Sequence, residues 1–184
     1  MSNSTPVETE VKLRLPDAKS GRALLRSAGA EKVRDRHFED NWLFDDAARS
    51  LTAQGKVLRV RRTDTGAVLT YKGLQRVEEG IKAREEVEQP LADADAFRLI
   101  LTEIGFKPLR RYQKYREIYR WGGLEIVLDE TPIGVFLELE GAIAEIHTCA
   151  AELGFSREDY ISESYMGIFR AAGHQGHMVF PEGA

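Results

Sequence analysis

Charged and apolar positions alternate from Val7 to Leu15: Glu8, Glu10, Lys12 and Arg14 share one parity, Val7, Thr9, Val11, Leu13 and Leu15 the other. A period of two puts these sets on opposite faces of a strand. Pro16-Asp17 stops that strand and offers an N-cap, so Leu24, Leu25 and Ala28 predict a helix over 18–28 that Gly29 ends. Residues 36–44 read as a second strand and 45–56 as a long polar loop. Leu58 to Arg61 and Val68 to Lys72 flank the turn residues Asp64-Thr65-Gly66, which predicts a hairpin. Residues 73–80 read as a loop, and Ile81 to Glu88 as a strand halted by Pro90. Asp93 caps a helix carrying Phe97, Ile100, Leu101 and Ile104, and strands follow over 111–120, 124–129 and 135–140. Two more helices are expected over 142–153 and 159–170.

The order of elements echoes itself. Glu8-x-Glu10-x-Lys12, a helix, Arg59-x-Arg61 and Lys72 are answered by Arg84-x-Glu86-x-Glu88, a helix, Lys114-x-Arg116, Asp129 and Glu138-x-Glu140. Eight strands in two related halves predict an α+β fold: an eight-stranded antiparallel closed β-barrel, which leaves no free edge, with helices packed outside. Helices need apolar surface, so the apolar parity faces outward and the charged parity lines a tunnel. The expected organisation is one domain over 1–173 and a flexible C-terminal tail over 174–184.

The predicted interior holds seven carboxylates (Glu8, Glu10, Glu86, Glu88, Asp129, Glu138, Glu140) and seven cations (Lys12, Arg59, Arg61, Lys72, Arg84, Lys114, Arg116). Burying fourteen ions dry, at several kcal/mol each, would exceed a domain stability of roughly 5–15 kcal/mol, so the interior must be wet. A wet tunnel with both signs suits a polyphosphate bound with divalent cations: Lys and Arg take phosphate oxygens, and carboxylates take Mg2+ or Mn2+.

Composition narrows the alternatives. The 184 residues are 42% hydrophobic and 30% charged, as in a soluble globule. A net charge of -4 argues against nonspecific nucleic-acid binding. No run is long enough to span a membrane, and Met1 to Pro6 lacks the character of a signal peptide, so the expected location is cytoplasmic. Cys149 falls in an apolar helix and reads as buried, His174-x-x-His177 lacks further ligands for a metal, and His37 and His147 stand alone.

The ordered set of motifs resembles the CYTH superfamily, the triphosphate tunnel metalloenzymes, which includes class IV adenylyl cyclases and thiamine triphosphatases. The resemblance rests on Glu8-x-Glu10-x-Lys12, Leu58-Arg59-x-Arg61, Lys72, Arg84-Glu85-Glu86-Val87-Glu88, Lys114-x-Arg116, Asp129 and Glu138-x-Glu140, with Ser164-Tyr165-Met166 pointing toward the cyclase branch. It implies that Glu8, Glu10, Glu138 and Glu140 hold a divalent cation, assisted by Asp129, with Glu86 and Glu88 near a second ion or water. Lys12, Arg59, Arg61, Lys72, Arg84, Lys114 and Arg116 would hold phosphates, and Glu8, Glu10, Lys12, Glu138 and Glu140 would form the catalytic set. The expected partner is a small-molecule triphosphate, with neither nucleic acid nor membrane; a homodimer is compatible with the sequence. Hydrolysis of the triphosphate leads, conversion of ATP to cyclic AMP is the alternative, and a noncatalytic sensor is a third reading.

Overall fold

A computed structural model describes residues 6–181. The residues at positions 1–5, read above for a leader, and the last three of the expected tail lie outside the described residues. In chain order the elements are β1 (Val7–Leu15), α1 (Ala18–Ser27), β2 (Glu31–Asp45), α2 (Ser50–Ala53), β3 (Val57–Arg62), β4 (Ala67–Lys72), β5 (Arg76–Glu78), β6 (Ile81–Leu91), α3 (Ala94–Glu103), β7 (Lys107–Trp121), β8 (Leu124–Thr131), β9 (Gly134–Glu140), α4 (Ile143–Glu152) and α5 (Tyr165–Ala171).

The strands run in the order β1-β9-β8-β7-β2-β3-β4-β6, and β6 pairs back onto β1, so eight antiparallel strands close a ring. The internal echo becomes topology: β1, β2, β3 and β4 form one half, and β6, β7, β8 and β9 the other. The first strand of each half pairs with the last strand of its counterpart, β1 with β9 and β6 with β4. The seam between β1 and β6 is short, from Val7↔Glu85 to Glu10↔Lys82. Beyond it Lys12 exchanges two backbone hydrogen bonds with Ile161, so the chain after α4 fills the gap.

Outward positions make two shells for the helices. Val11, Leu13, Ile126, Leu128, Leu137 and Leu139 pack with Leu25 of α1 and Ile146 of α4. Trp42, Phe44, Val60 and Ala67 pack with Leu101 of α3. Asp17 accepts a hydrogen bond from Ser20 N and Asp93 from Asp95 N and Ala96 N, which satisfies orphan amides at the starts of α1 and α3. Helix α1 approaches the sheet closely at Gly21, where an added Cβ would lie 2.6 Å from Leu15 Cδ1 and 2.8 Å from Leu128 Cδ1. Among the described residues no helix is long and apolar enough to cross a membrane.

Several expectations change. The loop over 45–56 contains α2, anchored because Asp45 accepts hydrogen bonds from Leu51 N and Thr52 N. The loop over 73–80 contains β5, paired to β6 across a turn at Glu79 and Gly80, both at positive φ. The last helix is shorter than expected, and α5 does not pack outside the ring. It covers one end, where Tyr165, Met166 and Phe169 meet Phe136, Tyr112 and Met178. Nor do residues 174–181 form a loose tail: Met178 is buried, it bridges Tyr112, and Phe180 N donates to Gln113 Oε1. The reason is apolar: Met178 completes the cluster that α5 makes at the ring's end.

Candidate active site

Inside the ring lies a cavity of about 540 Å3. Of the fourteen predicted interior charges, thirteen line it: Glu8, Glu10 and Lys12 from β1, Arg59 and Arg61 from β3, Lys72 from β4, Arg84, Glu86 and Glu88 from β6, Lys114 and Arg116 from β7, and Glu138 and Glu140 from β9. Asp129 stands apart from the lining. It is fully buried and saturated with donors: Lys114 Nζ at 2.9 Å, Arg116 Nε at 2.8 Å and Nη2 at 2.6 Å, and Tyr165 Oη at 2.8 Å. Its place is a hub that fixes two cations and α5.

The remaining charges form a chain of ion pairs around the wall. Lys12 Nζ lies 2.8 Å from Glu10 and 3.1 Å from Glu138, and Arg116 Nη2 reaches Glu138 at 2.5 Å. Lys72 lies 3.3 Å from Glu8 and 2.5 Å from Glu86. Glu88 receives Arg59 at 3.2 Å and Arg61 at 2.7 Å, and Arg59 is further held by Thr70 and Tyr112. Arg84 differs, because it donates to backbone carbonyls, Gly73 O and Gly55 O, and so ties together the segments after β4 and α2.

Two charged residues join this set without having been singled out in the sequence. Lys82 shares the inward parity of Arg84 and Glu86, is 5% exposed, and pairs with Glu10. Glu39 of β2 is 2% exposed and reaches Arg61 at 3.2 Å and Lys114 at 3.6 Å. Parity on β6 could have exposed Lys82; Glu39 was hidden because Asp40, on the outward parity of Trp42 and Phe44, blurs the alternation of β2. Three histidines stay apart: His174 stacks on Phe169, His177 Nδ1 accepts from Arg111 N, and His147 lies between Tyr160 and Glu79, whereas buried His37 has its Nε2 3.6 Å from Glu39.

Electrostatics divides the cavity. Burial works to raise the Glu10 carboxyl, but Lys12 and Lys82 outweigh it and hold it well below the usual range. Glu138 is likewise lowered against burial by Lys12, with Lys114 and Arg116 adding to it. Glu140 is the opposite case. It sits directly across from Glu10 on one neighbour and Glu125 on the other, so three carboxylates stand side by side on adjacent strands. Burial, followed by Glu8, Glu10, Glu125 and Glu138, pushes Glu140 up to about 8. Burial also raises Glu8, and burial with the Arg59 charge pushes Lys72 down to about 7.

Among the described residues no three His, Cys, Asp or Glu side chains are already gathered as metal ligands. The donor set nonetheless suits a hard divalent cation: Glu8, Glu10, Glu138 and Glu140 supply carboxylate oxygens, and the charges that act most on Glu140 are other carboxylates.

A family model for the CYTH domain matches residues 7–165. A Methanocaldococcus jannaschii protein provisionally named an adenylate cyclase is 29% identical over 166 residues, covering 90% of this chain and 89% of that one. Among solved structures, a Vibrio parahaemolyticus protein, also provisionally named an adenylate cyclase, superposes with a TM-score of 0.78 at 21% identity over 91% of this chain and 99% of that one. A Hippeastrum protein described as a provisional adenylyl cyclase with a dominant triphosphatase activity gives 0.68 at 25% identity, over 90% of this chain and 96% of that one. The family match covers the β1 carboxylates through the Tyr165 that covers one end of the ring, and the chain belongs to the CYTH domain family.

Proposed function

We propose that this protein hydrolyses a triphosphate with the help of Mg2+ or Mn2+. The observation that carries the reading is the cavity wall itself. Lys12, Arg59, Arg61, Lys72, Lys82, Lys114 and Arg116 converge on one volume of about 540 Å3, within the roughly 300–1,000 Å3 typical of small-molecule sites. Every one of these cations is now held by a carboxylate, so an incoming polyphosphate would take the cations from those carboxylates, and the carboxylates released would be neutralised by the divalent cation that comes with it.

Each residue then has a task. Arg59 and Arg61, fixed by Thr70, Tyr112 and Glu39, take one stretch of the phosphate chain in bidentate fashion. Lys114 and Arg116, anchored on Asp129, take the next, and Lys12 neutralises charge between Glu10 and Glu138. Glu8, Glu10, Glu138 and Glu140 would hold the divalent cation, with Glu86 placed for a second ion or an ordered water. When bound, such an ion polarises a phosphoryl oxygen and lowers the pKa of water. In the reaction a water oxygen bonds to the terminal phosphorus, the bridging P–O bond breaks, and the leaving diphosphate departs with its negative charge held by the Lys and Arg cradle.

A second reading, cyclisation of ATP, is favoured by the M. jannaschii relative's name and by the apolar part of the lining. Leu43, Val57, Tyr112 and Met166 offer a surface for an organic group beside the cations. The Hippeastrum protein's described triphosphatase activity favours hydrolysis. Product analysis with ATP separates the two: hydrolysis releases orthophosphate, whereas cyclisation releases pyrophosphate and cyclic AMP in equal amounts. Cyclic AMP as the principal product would overturn the hydrolase reading, and ATP unchanged with both metals would overturn the cyclase reading and confine hydrolysis to triphosphates other than ATP.

A further inference from the structure

A second cavity of about 270 Å3 lies away from the ring's interior, lined by Trp42, Arg98, Pro108, Arg110, Arg111 and His177. Its chemistry is one-sided. The guanidiniums of Arg98, Arg111 and Arg62 lie 4.0, 5.2 and 5.3 Å from the Trp42 ring. Two carboxylates serve this group: Asp40 pairs with Arg111 at 2.7 Å and Arg62 at 3.9 Å, and Asp95 with Arg98 at 2.9 Å and Arg62 at 3.3 Å. Arg110 adds a fourth guanidinium, and among the described residues its recorded side-chain hydrogen bond goes only to Leu109 O at 3.0 Å. Four arginines against two carboxylates leave an excess of two positive charges, in a protein whose net charge is -4.

Unused donors accompany the excess. Arg98 Nε is shielded from solvent and, among the described residues, has no hydrogen-bond partner. His177 Nδ1 accepts from Arg111 N at 3.1 Å, so in the neutral ring the proton sits on Nε2, which is a donor. A cation–π stack accounts for arginines over Trp42, but not for Arg110 or for the hollow between these groups. We propose that this hollow is an external binding site for a phosphate-class oxyanion, held by Arg98, Arg110 and His177, with Arg111 fixed beside it by Asp40. At about 270 Å3 it falls just below the range for drug-sized ligands, so it takes inorganic phosphate or a compact phosphate monoester rather than a whole nucleotide. The site is independent of the tunnel's activity.

Trp42 is a built-in reporter. The chain has two tryptophans, and Trp121 lies against the α1 and α4 packing, donating to Ala28 O. Tryptophan fluorescence of the full chain carrying Trp121→Phe, titrated with inorganic phosphate and, in a parallel arm, glycerol phosphate, therefore reads this site. The expected result is a saturable change that Arg61→Ala in the tunnel leaves intact and that Arg110→Ala weakens about tenfold or more, the loss typical of a charged hydrogen bond. Arg110→Lys should recover part of the affinity, and triphosphate turnover should not change in either Arg110 variant. Among the described residues Arg110 pairs with no carboxylate that its loss would strand, so matched thermal melts are expected. Absence of a saturable signal with both anions, or a signal lost with Arg61→Ala but kept with Arg110→Ala, overturns the proposal.

Discussion

Glu140→Gln should make the metal-free protein more stable at pH 8 and at the same time cripple it as an enzyme. In the folded chain burial and four neighbouring carboxylates push Glu140 up to about 8, whereas an unfolded glutamate ionises near 4.5. Below about 4.5 it is protonated in both states and costs nothing. As pH rises toward about 8 the unfolded chain releases the proton and the folded chain keeps it, so stability falls across that window. The full difference amounts to about 4 kcal/mol at pH 8 as a ceiling, and relaxation and partial exposure of the carboxyl bring it to about half. For a chain of this size about 2 kcal/mol moves the melting temperature by roughly 4–8 °C. Thermal melts in excess chelator from pH 5 to pH 9 should therefore show a downward slope in the wild type that is much shallower in Glu140→Gln. Mg2+ or Mn2+ at pH 8 should raise the wild-type melting temperature and raise the variant's less. An equal slope in the two proteins, or a variant less stable than wild type at pH 8, would refute the carboxylate crowding on which the proposed metal site rests.

Other substitutions separate holding substrate from holding the fold. Arg61→Ala, which frees Glu88 and Glu39 but removes a proposed phosphate anchor, should raise KM for the triphosphate about tenfold or more, measured by steady-state phosphate release. Glu10→Gln should lower turnover about 100-fold, and because Glu10 is the shared partner of Lys12 and Lys82 it should also lower the melting temperature by several degrees. Glu85→Gln, on the exposed parity of β6, should leave both turnover and melting temperature unchanged. Tyr165→Phe removes one donor from buried Asp129 and should cost about 1–3 kcal/mol, seen as a lower denaturation midpoint in urea.

The two partners of Glu10 show where sequence reading reaches its limit. Period-two alternation on β1, β3 and β9 is local, so the inward parity of Glu10, Arg59, Arg61 and Glu138 was legible before any fold was known. Pairing between those residues is not local: Lys82 meets Glu10 across 72 positions, and only the β1–β6 register brings them together. Glu39 was obscured because both faces of β2 carry charge, the outward one to serve Arg111. The ends of the ring were least legible. Tyr165 and Met178 are ordinary apolar residues among glycines and polar groups, and their burial depends on the mouth that Phe136 and Tyr112 leave for them. Asp129 looked like one more ligand, and its saturation by Lys114, Arg116 and Tyr165 emerges only from the closed ring.

Tripolyphosphate turnover tests the central claim most directly, because this substrate has neither ribose nor base and can use nothing but the charged tunnel. Release of orthophosphate and pyrophosphate would be followed by phosphorus NMR with Mg2+, with Mn2+ and with excess chelator, on the wild type and on Glu138→Gln. The account predicts equal amounts of the two products with at least one of the metals, none in chelator, and a loss of about 100-fold in the variant. Tripolyphosphate that stays intact with both metals, or is cleaved equally well in chelator or by Glu138→Gln, would contradict it.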